Sequence, residues 1–363
     1  MDDREKGTWL NYLQVCMKIA RGVRRLHSAG LAHSDLSYKN VLLSPTDAAA
    51  VIIDLDGLVV PGKYPPDVVG TPDFIAPEVI ATAHLNKNDP GRNLPNMSTD
   101  RHALAVLIYH YLFLRHPLRG DLVHDIDPQI DEKMSMGEKA LFIEHPENTS
   151  NRIKIDKIRA AELPWKNTEK LPYSIAGPYL KNLFDRAFID GLHAPELRPT
   201  ADEWEQGLVK TIDLIQPCVN SACAQQWYVF DNSTKPKCPF CGTPYNQPLP
   251  VLNFYSERGQ GRYITDNHRL MVFSNQSLFP WHVNRLIHPN ENISPEHKRR
   301  VGYFVYHNQK WYLVNEGMPA LKDAASGTGF PIGAQIILED GMSLLVGTNE
   351  GDRLIQVQMA NMD

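Results

Sequence analysis

Apolar residues recur at helical spacing near the start of the chain. Trp9, Leu10, Leu13, Met17, Ala20, Val23, Leu26 and His27 fall on one face of a single helix, and Gly30 stands where that helix can end. Strand-like apolar runs follow at 41–43 and 51–53, after which the helical period dominates to about residue 210. Next comes a short cysteine block punctuated by Pro217, Pro236, Pro239 and Pro244. From about 250 onward the helical period gives way to the runs LMVFS, GYFVYH, KWYLVN, QIILED, SLLVG and LIQVQM, separated by Gly, Asn, Asp and Pro. This rhythm predicts a small all-β sandwich, with an OB-like barrel as the alternative. No internal repeat is visible.

Composition narrows the class. With 363 residues, 42% hydrophobic and 22% charged, the chain can hold two or three domains with cores of their own. A net charge of −5 gives no global attraction to nucleic acid or to an anionic membrane. No run of about 18 apolar residues occurs, and the opening MDDREKGTW is charged where a signal peptide would be greasy, so a soluble cytoplasmic protein is expected. Cys16 stands alone in an amphipathic segment, whereas Cys218, Cys223, Cys238 and Cys241 cluster. That clustering is a metal pattern more than a disulfide framework.

Candidate chemistry begins in GLAHSDLSYKNVLL, residues 30–43, where Asp35 and Asn40 interrupt two apolar ends. Asp54 follows the apolar run at 51–53, at the end of a predicted strand. Two carboxylates and an amide carbonyl supply hard oxygen ligands for a magnesium-bound polyphosphate and an acceptor for a hydroxyl proton. Each residue alone is also a common turn or cap residue. It is their joint spacing that points to chemistry.

HSDLSYKN resembles the catalytic loop H-R-D-L-x-x-x-N of protein kinases, DLDG at 54–57 resembles their metal-binding D-F-G, and GTPDFIAPE at 70–78 the end of their activation segment. STDRHALAVLIYHYL at 98–112 is similar to the buried helix that anchors the loop, and LRPTADEW at 197–204 to the closing R-P-T element. The resemblance implies a mainly α kinase C-lobe over residues 1–212. It implies Asp35 as acceptor of the substrate hydroxyl proton, Asn40 and Asp54 as magnesium ligands, His33 and Asp100 as structural braces, and an Arg198–Glu78 pair. Lys39, four positions after Asp35, is the candidate for neutralising the transferred phosphate, since Ser37 stands where serine/threonine members usually place a lysine. Asp56 occupies the D-F-G glycine position, either as a further metal contact or with the glycine displaced to Gly57. Ser34 replaces the arginine that reads an activation-segment phosphate, and Tyr64 is the internal hydroxyl of that loop, so no phosphate switch is expected there. The family's glycine-rich loop and strand lysine lie before the catalytic loop. Only 34 residues precede Asp35, nearly all in one helix. A C-lobe without its N-lobe is expected, as part of a longer protein or as a half-kinase, inactive alone and binding ATP weakly.

The cysteine block, 213–248, pairs Cys218-x4-Cys223 with Cys238-x2-Cys241 around a hairpin strand WYVF and resembles a zinc ribbon with a structural zinc ion. Its few basic residues, Lys235 and Lys237, favour a spacer or partner-docking role over nucleic-acid binding. In the tail, 249–363, GAQIILEDGMSLLVG resembles the closing strands of forkhead-associated domains, which read phosphothreonine. Arg262, Arg269, Ser274 and Arg285 lie nearby, but the G-R and S-x-x-H signatures do not assemble, and WHVNR at 281–285 is an echo. VHDIDPQIDE at 123–132 lacks the glycine and spacing of a calcium loop and reads as an exposed insert, a candidate partner surface. RIKIDKIR at 152–159 and HKRR at 297–300 read as solvated charge. The combination is similar to eukaryotic-like bacterial kinases that accompany a von Willebrand A protein and a PP2C-type phosphatase in tellurite-resistance-type stress systems. It implies phosphoryl transfer from Mg-ATP to a protein serine or threonine, with a non-catalytic kinase-like scaffold as the alternative.

Overall fold

A computed structural model of the protein describes residues 6–60, 70–153, 171–231 and 235–360. Tyr64 and most of RIKIDKIR lie outside the described residues. Two compact units divide the chain, Met1–Thr211 and Ile212–Asp363.

In the first unit, helix α1 (Trp9–Ser28) starts at Thr8, whose hydroxyl accepts from the Asn11 amide while its own N–H donates to Asn11 Oδ1. Its buried stripe is Trp9, Leu13, Cys16, Ile19, Ala20 and Val23. The stripe is rotated slightly from the expected face: Leu10 and Met17 are only half-buried, and Cys16 and Ile19 take the interior. The hairpin β1 (Val41–Ser44) and β2 (Ala49–Ile52) follows, then α2 (Pro77–Ala81), α3 (Met97–Phe113), α4 (Pro128–Met136), α5 (Gly177–Asp185) and α6 (Ala201–Ile212). Helix α3 is apolar on nearly every side and therefore runs through the core. Asn96 caps it, accepting from the Ser98 amide at 2.7 Å. Tyr109, near its end, packs against Phe113, Phe142, Phe184 and Phe188 at ring-centroid distances of 4.5–6.0 Å. Glu205 on α6 takes Arg21 Nε at 2.7 Å and Arg24 Nε at 2.6 Å, tying α6 to the polar side of α1.

The second unit opens with the antiparallel pair β3 (Ile215–Pro217) and β4 (Trp227–Val229). Its remaining elements are β5 (Leu249–Glu257), β6 (Tyr263–Met271), β7 (Ser277–Leu278), the single turn α7 (Pro280–Val283), β8 (Gly302–His307), β9 (Lys310–Asn315), β10 (Lys322–Asp323), β11 (Gln335–Ile337), β12 (Ser343–Leu345) and β13 (Arg353–Ala360). They build two antiparallel sheets, ordered β10-β12-β13-β5-β6 and β11-β9-β8-β7. Alternate residues face a shared core: Leu252 and Phe254, Trp311 and Leu313, Ile355 and Val357. Among the described residues these strands fall into two open sheets that share one apolar core. One polar knot is buried beside this core. The Asp213 carboxylate accepts from His268 Nε2 at 2.6 Å and His282 Nε2 at 3.2 Å, and Arg353 Nε donates to Asp266 at 2.7 Å.

Candidate functional site

The loop between α1 and β1 is fixed from below by Asp100, in the first turn of α3. Its buried carboxylate accepts from the amides of His33 at 2.7 Å and Ser34 at 3.1 Å and contacts His27 Nε2 at 3.1 Å. Ser34 adopts a left-handed φ of 66°. Its hydroxyl donates to the Gly57 carbonyl at 2.9 Å. His33 Nε2 donates to the Ile53 carbonyl at 3.1 Å, pinning the residue before Asp54. A further bridge, Ala32 with Val59, ties the loop to the chain beyond Asp54. Asp54 has φ 59° and ψ 60° and heads the turn Leu55–Gly57, with Asp54 and Asp56 both exposed.

Asp35 is half-buried and held from two sides. Its Oδ1 accepts from the Thr71 amide at 2.6 Å and the Thr71 hydroxyl at 2.7 Å, while Asn40 Nδ2 donates to its Oδ2 at 3.1 Å and its carbonyl at 2.8 Å. These bonds hold the carboxylate in one rotamer. They also commit the Asn40 nitrogen, leaving its Oδ1 as the atom suited to a cation. Ser37 caps the turn Tyr38–Asn40, from which Lys39 projects into solvent. The Thr71 segment is anchored in turn. His116 Nε2 donates to the Asp73 carbonyl at 2.8 Å, and its Nδ1 accepts from the Leu118 amide at 3.1 Å, which fixes the neutral ring. Burial lowers its pKa to about 4. Glu78, on α2, takes a two-pronged bond from Arg198, at 2.8 and 2.7 Å.

The structure thus bonds Asn40 to Asp35 and the His33 and Ser34 amides to Asp100, links the two sets through the backbone at Ser34, and ties His33 to Ile53, the residue before Asp54. Two participants escape a reading of the sequence. Thr71 lies inside the quoted GTPDF, but nothing local marks its two bonds to Asp35. His27 shows only as part of a helix face. Leu42 and Val51 pair directly across the hairpin and both stand about 60% exposed, while Leu55, in the turn after Asp54, is 46% exposed. The period-two alternation of a two-stranded hairpin is the signal for that pair.

In the second unit the sulfur atoms of Cys218, Cys223, Cys238 and Cys241 lie within 4.8 Å of one another. Cys218–Cys241 is 3.5 Å and Cys223–Cys238 is 3.8 Å. A tetrahedral zinc thiolate site has sulfur–sulfur edges of about 3.8 Å, whereas a disulfide needs about 2.05 Å. The four thiols therefore fit a metal and not two bridges. The turn at Cys238 closes through Gly242, φ 74°, whose amide donates to the Cys238 carbonyl at 2.8 Å. The Thr243 hydroxyl beside Cys241 lowers that thiol to about 6, towards the thiolate a metal takes, while burial raises Cys218 and Cys238.

In the two-sheet region, Arg262 precedes β6, Arg269 lies on β6, Ser274 is exposed between β6 and β7, and Arg285 follows α7. These residues sit on separate elements. Ser294 and His297 lie three residues apart between α7 and β8, and the His297 amide donates to Ser294 Oγ at 3.2 Å.

Comparison with known proteins bears on the first unit. Over 133 residues the chain is 31% identical to the serine/threonine-protein kinase PknD of Chlamydia abortus, over 107 residues 36% identical to the death-associated protein kinase dapk-1 of Caenorhabditis elegans, and over 98 residues 35% identical to a dual serine/threonine and tyrosine protein kinase of Strongylocentrotus purpuratus. These alignments cover 30%, 29% and 27% of this chain, which spans only 13%, 7% and 9% of those relatives' lengths. The protein kinase domain family matches residues 10–204, from the first turn of α1 into α6. That match covers more than half of the sequence and includes the whole braced loop around Asp35, so the chain belongs to the protein kinase domain family.

Proposed function

We propose that the first unit transfers a phosphoryl group from Mg-ATP to a serine or threonine hydroxyl of a protein. The observation that carries this reading is the Asp35 carboxylate, oriented by Thr71 and Asn40 on a backbone that Asp100 holds. Asp35 orients the incoming hydroxyl and receives its proton as the new oxygen–phosphorus bond forms and the bond to the departing diphosphate breaks. Asn40 Oδ1 and Asp54 offer hard oxygens to magnesium, with Asp56 within the same turn. Bound magnesium supplies charge neutralisation of the phosphates. The exposed apolar pair Leu42–Val51 suits a planar base, and exposed Lys39 suits the transferred phosphate.

The test is phosphate transfer from labelled ATP to a generic protein acceptor, using protein made with any coding sequence that precedes Met1. Asp35→Asn is expected to lower the rate by roughly a hundredfold or more. Equal rates would leave the scaffold reading in its place. We further propose that the four cysteines hold zinc and that the sandwich is a forkhead-associated-like docking module. The second assignment is supported by the Ser294–His297 contact and by Gly341 at the turn before β12. Operation beside a von Willebrand A protein and a PP2C-type phosphatase in stress signalling rests on the sequence resemblance alone.

A further inference from the structure

Residues 121–132 carry five carboxylates and no lysine or arginine, as much negative charge as the −5 excess of the entire chain. The same stretch exposes three aliphatic side chains: Val123 at 71%, Ile126 at 101% and Ile130 at 44%. A single exposed aliphatic is ordinary, but three within eight positions form a feature. The segment that presents them is organised. Asp131 Oδ1 accepts from the amides of His124 at 2.5 Å and Asp125 at 3.2 Å, Asp125 accepts from the Asp127 amide at 2.9 Å, and Asp127 caps α4 through Gln129 at 2.9 Å. Acidic side chains are thus used to hold a loop whose apolar groups point away from the unit's own core.

The segment is also linked to the catalytic loop. Arg119 bridges Asp73 and Glu132, with its contact to Glu132 at 2.7 Å. Asp73 lies two residues beyond Thr71, whose amide and hydroxyl hold Asp35.

We infer that residues 121–132 form a docking surface for a protein segment rich in Lys or Arg and in aliphatic side chains, carried by the protein to be phosphorylated. The inference rests on the phosphoryl-transfer reading for the identity of that protein. The charge selects the occupant: anionic lipid and nucleic acid are repelled, and a simple cation would not require three exposed aliphatics. A basic segment with aliphatic side chains satisfies both features, and the braced loop lowers the entropic cost of meeting it.

The experiment uses the full chain and a fluorescein-labelled peptide of alternating Lys and Leu, with an equally charged Lys–Ser peptide as control, and follows anisotropy. The wild type is expected to bind the Lys–Leu peptide more tightly than the control. The double variant Val123→Ser/Ile126→Ser, confined to exposed positions, is expected to weaken Lys–Leu binding about tenfold or more and to leave Lys–Ser binding unchanged. Equal Lys–Leu affinity in both proteins overturns the inference, as does equal affinity of the wild type for both peptides. Sedimentation showing a wild-type dimer that the double variant abolishes overturns it too, by making a second copy the occupant. Asp35→Asn is expected to keep full Lys–Leu binding, so a failure of phosphoryl transfer and a failure of docking are read separately.

Discussion

Five bonds surround the guanidinium of Arg198: two to Glu78 and one each to the carbonyls of Gly191, Ser98 and Leu192. At 2% exposure the cation is acceptable only because all these acceptors are in place. Removing it strands a half-buried carboxylate and three carbonyls. Arg198→Ala is expected to cost about 3–5 kcal/mol in urea unfolding. Arg198→Lys should recover only part of this, because an ammonium cannot reproduce the planar fork. The pair itself could be named from the order of motifs. The carbonyl acceptors could not, nor the demand on Gly191, where a Cβ would sit 2.8 Å from Arg198 Cγ. Backbone acceptors carry no residue identity and leave no mark in a sequence.

Single elements show how far pattern reaches. The α1 helix was legible in its apolar period, yet its buried stripe turned towards Cys16 and Ile19, because packing against α3 and β2 sets the rotation. The cysteine pairs were legible as knuckles from spacing alone. Their convergence depends on turns at Gln226 and Gly242, both with positive φ, and is a property of the folded chain. With only Tyr228, Phe240 and the cysteines themselves in its apolar cluster among the described residues, this element has little core of its own. Elemental analysis should find about one zinc per chain. A chelator or Cys223→Ser should remove it together with the ordered signal of Trp227 on β4, followed by fluorescence. An unchanged spectrum in metal-free protein would contradict a structural ion.

Across the whole molecule, buried histidines set the acid limit. His116 in the first unit titrates near 4 instead of about 6.5 because burial disfavours its charged form, and burial lowers His102 and His268 as well. Burial acting alone would raise Asp213, but the imidazoles of His282 and His268 outweigh it and hold its carboxyl low. In every case the unfolded chain takes up the proton first, so stability is complete above about pH 6.5 and declines as the pH falls. For His116 alone the loss at pH 5 is about 2 kcal/mol. Urea unfolding at pH 7 and pH 5 should show this decline, with a shallower one in His116→Asn. A larger midpoint at pH 5 would contradict the assignment of neutral rings. At this scale the alternation of the last hundred residues foretold strands, while the sheet order and the Asp213 knot depend on contacts far apart in sequence. Among the described residues, no helix is long and apolar enough to cross a membrane.

The hydroxyl of Ser34, resting on the Gly57 carbonyl, gives the catalytic loop a brace without charge. A neutral brace of that kind is built from the chain's own backbone: the left-handed turn at Ser34 is held by a carbonyl that the fold itself supplies. The geometry of that loop is therefore set by folding, with no charged group needed at position 34 to hold it.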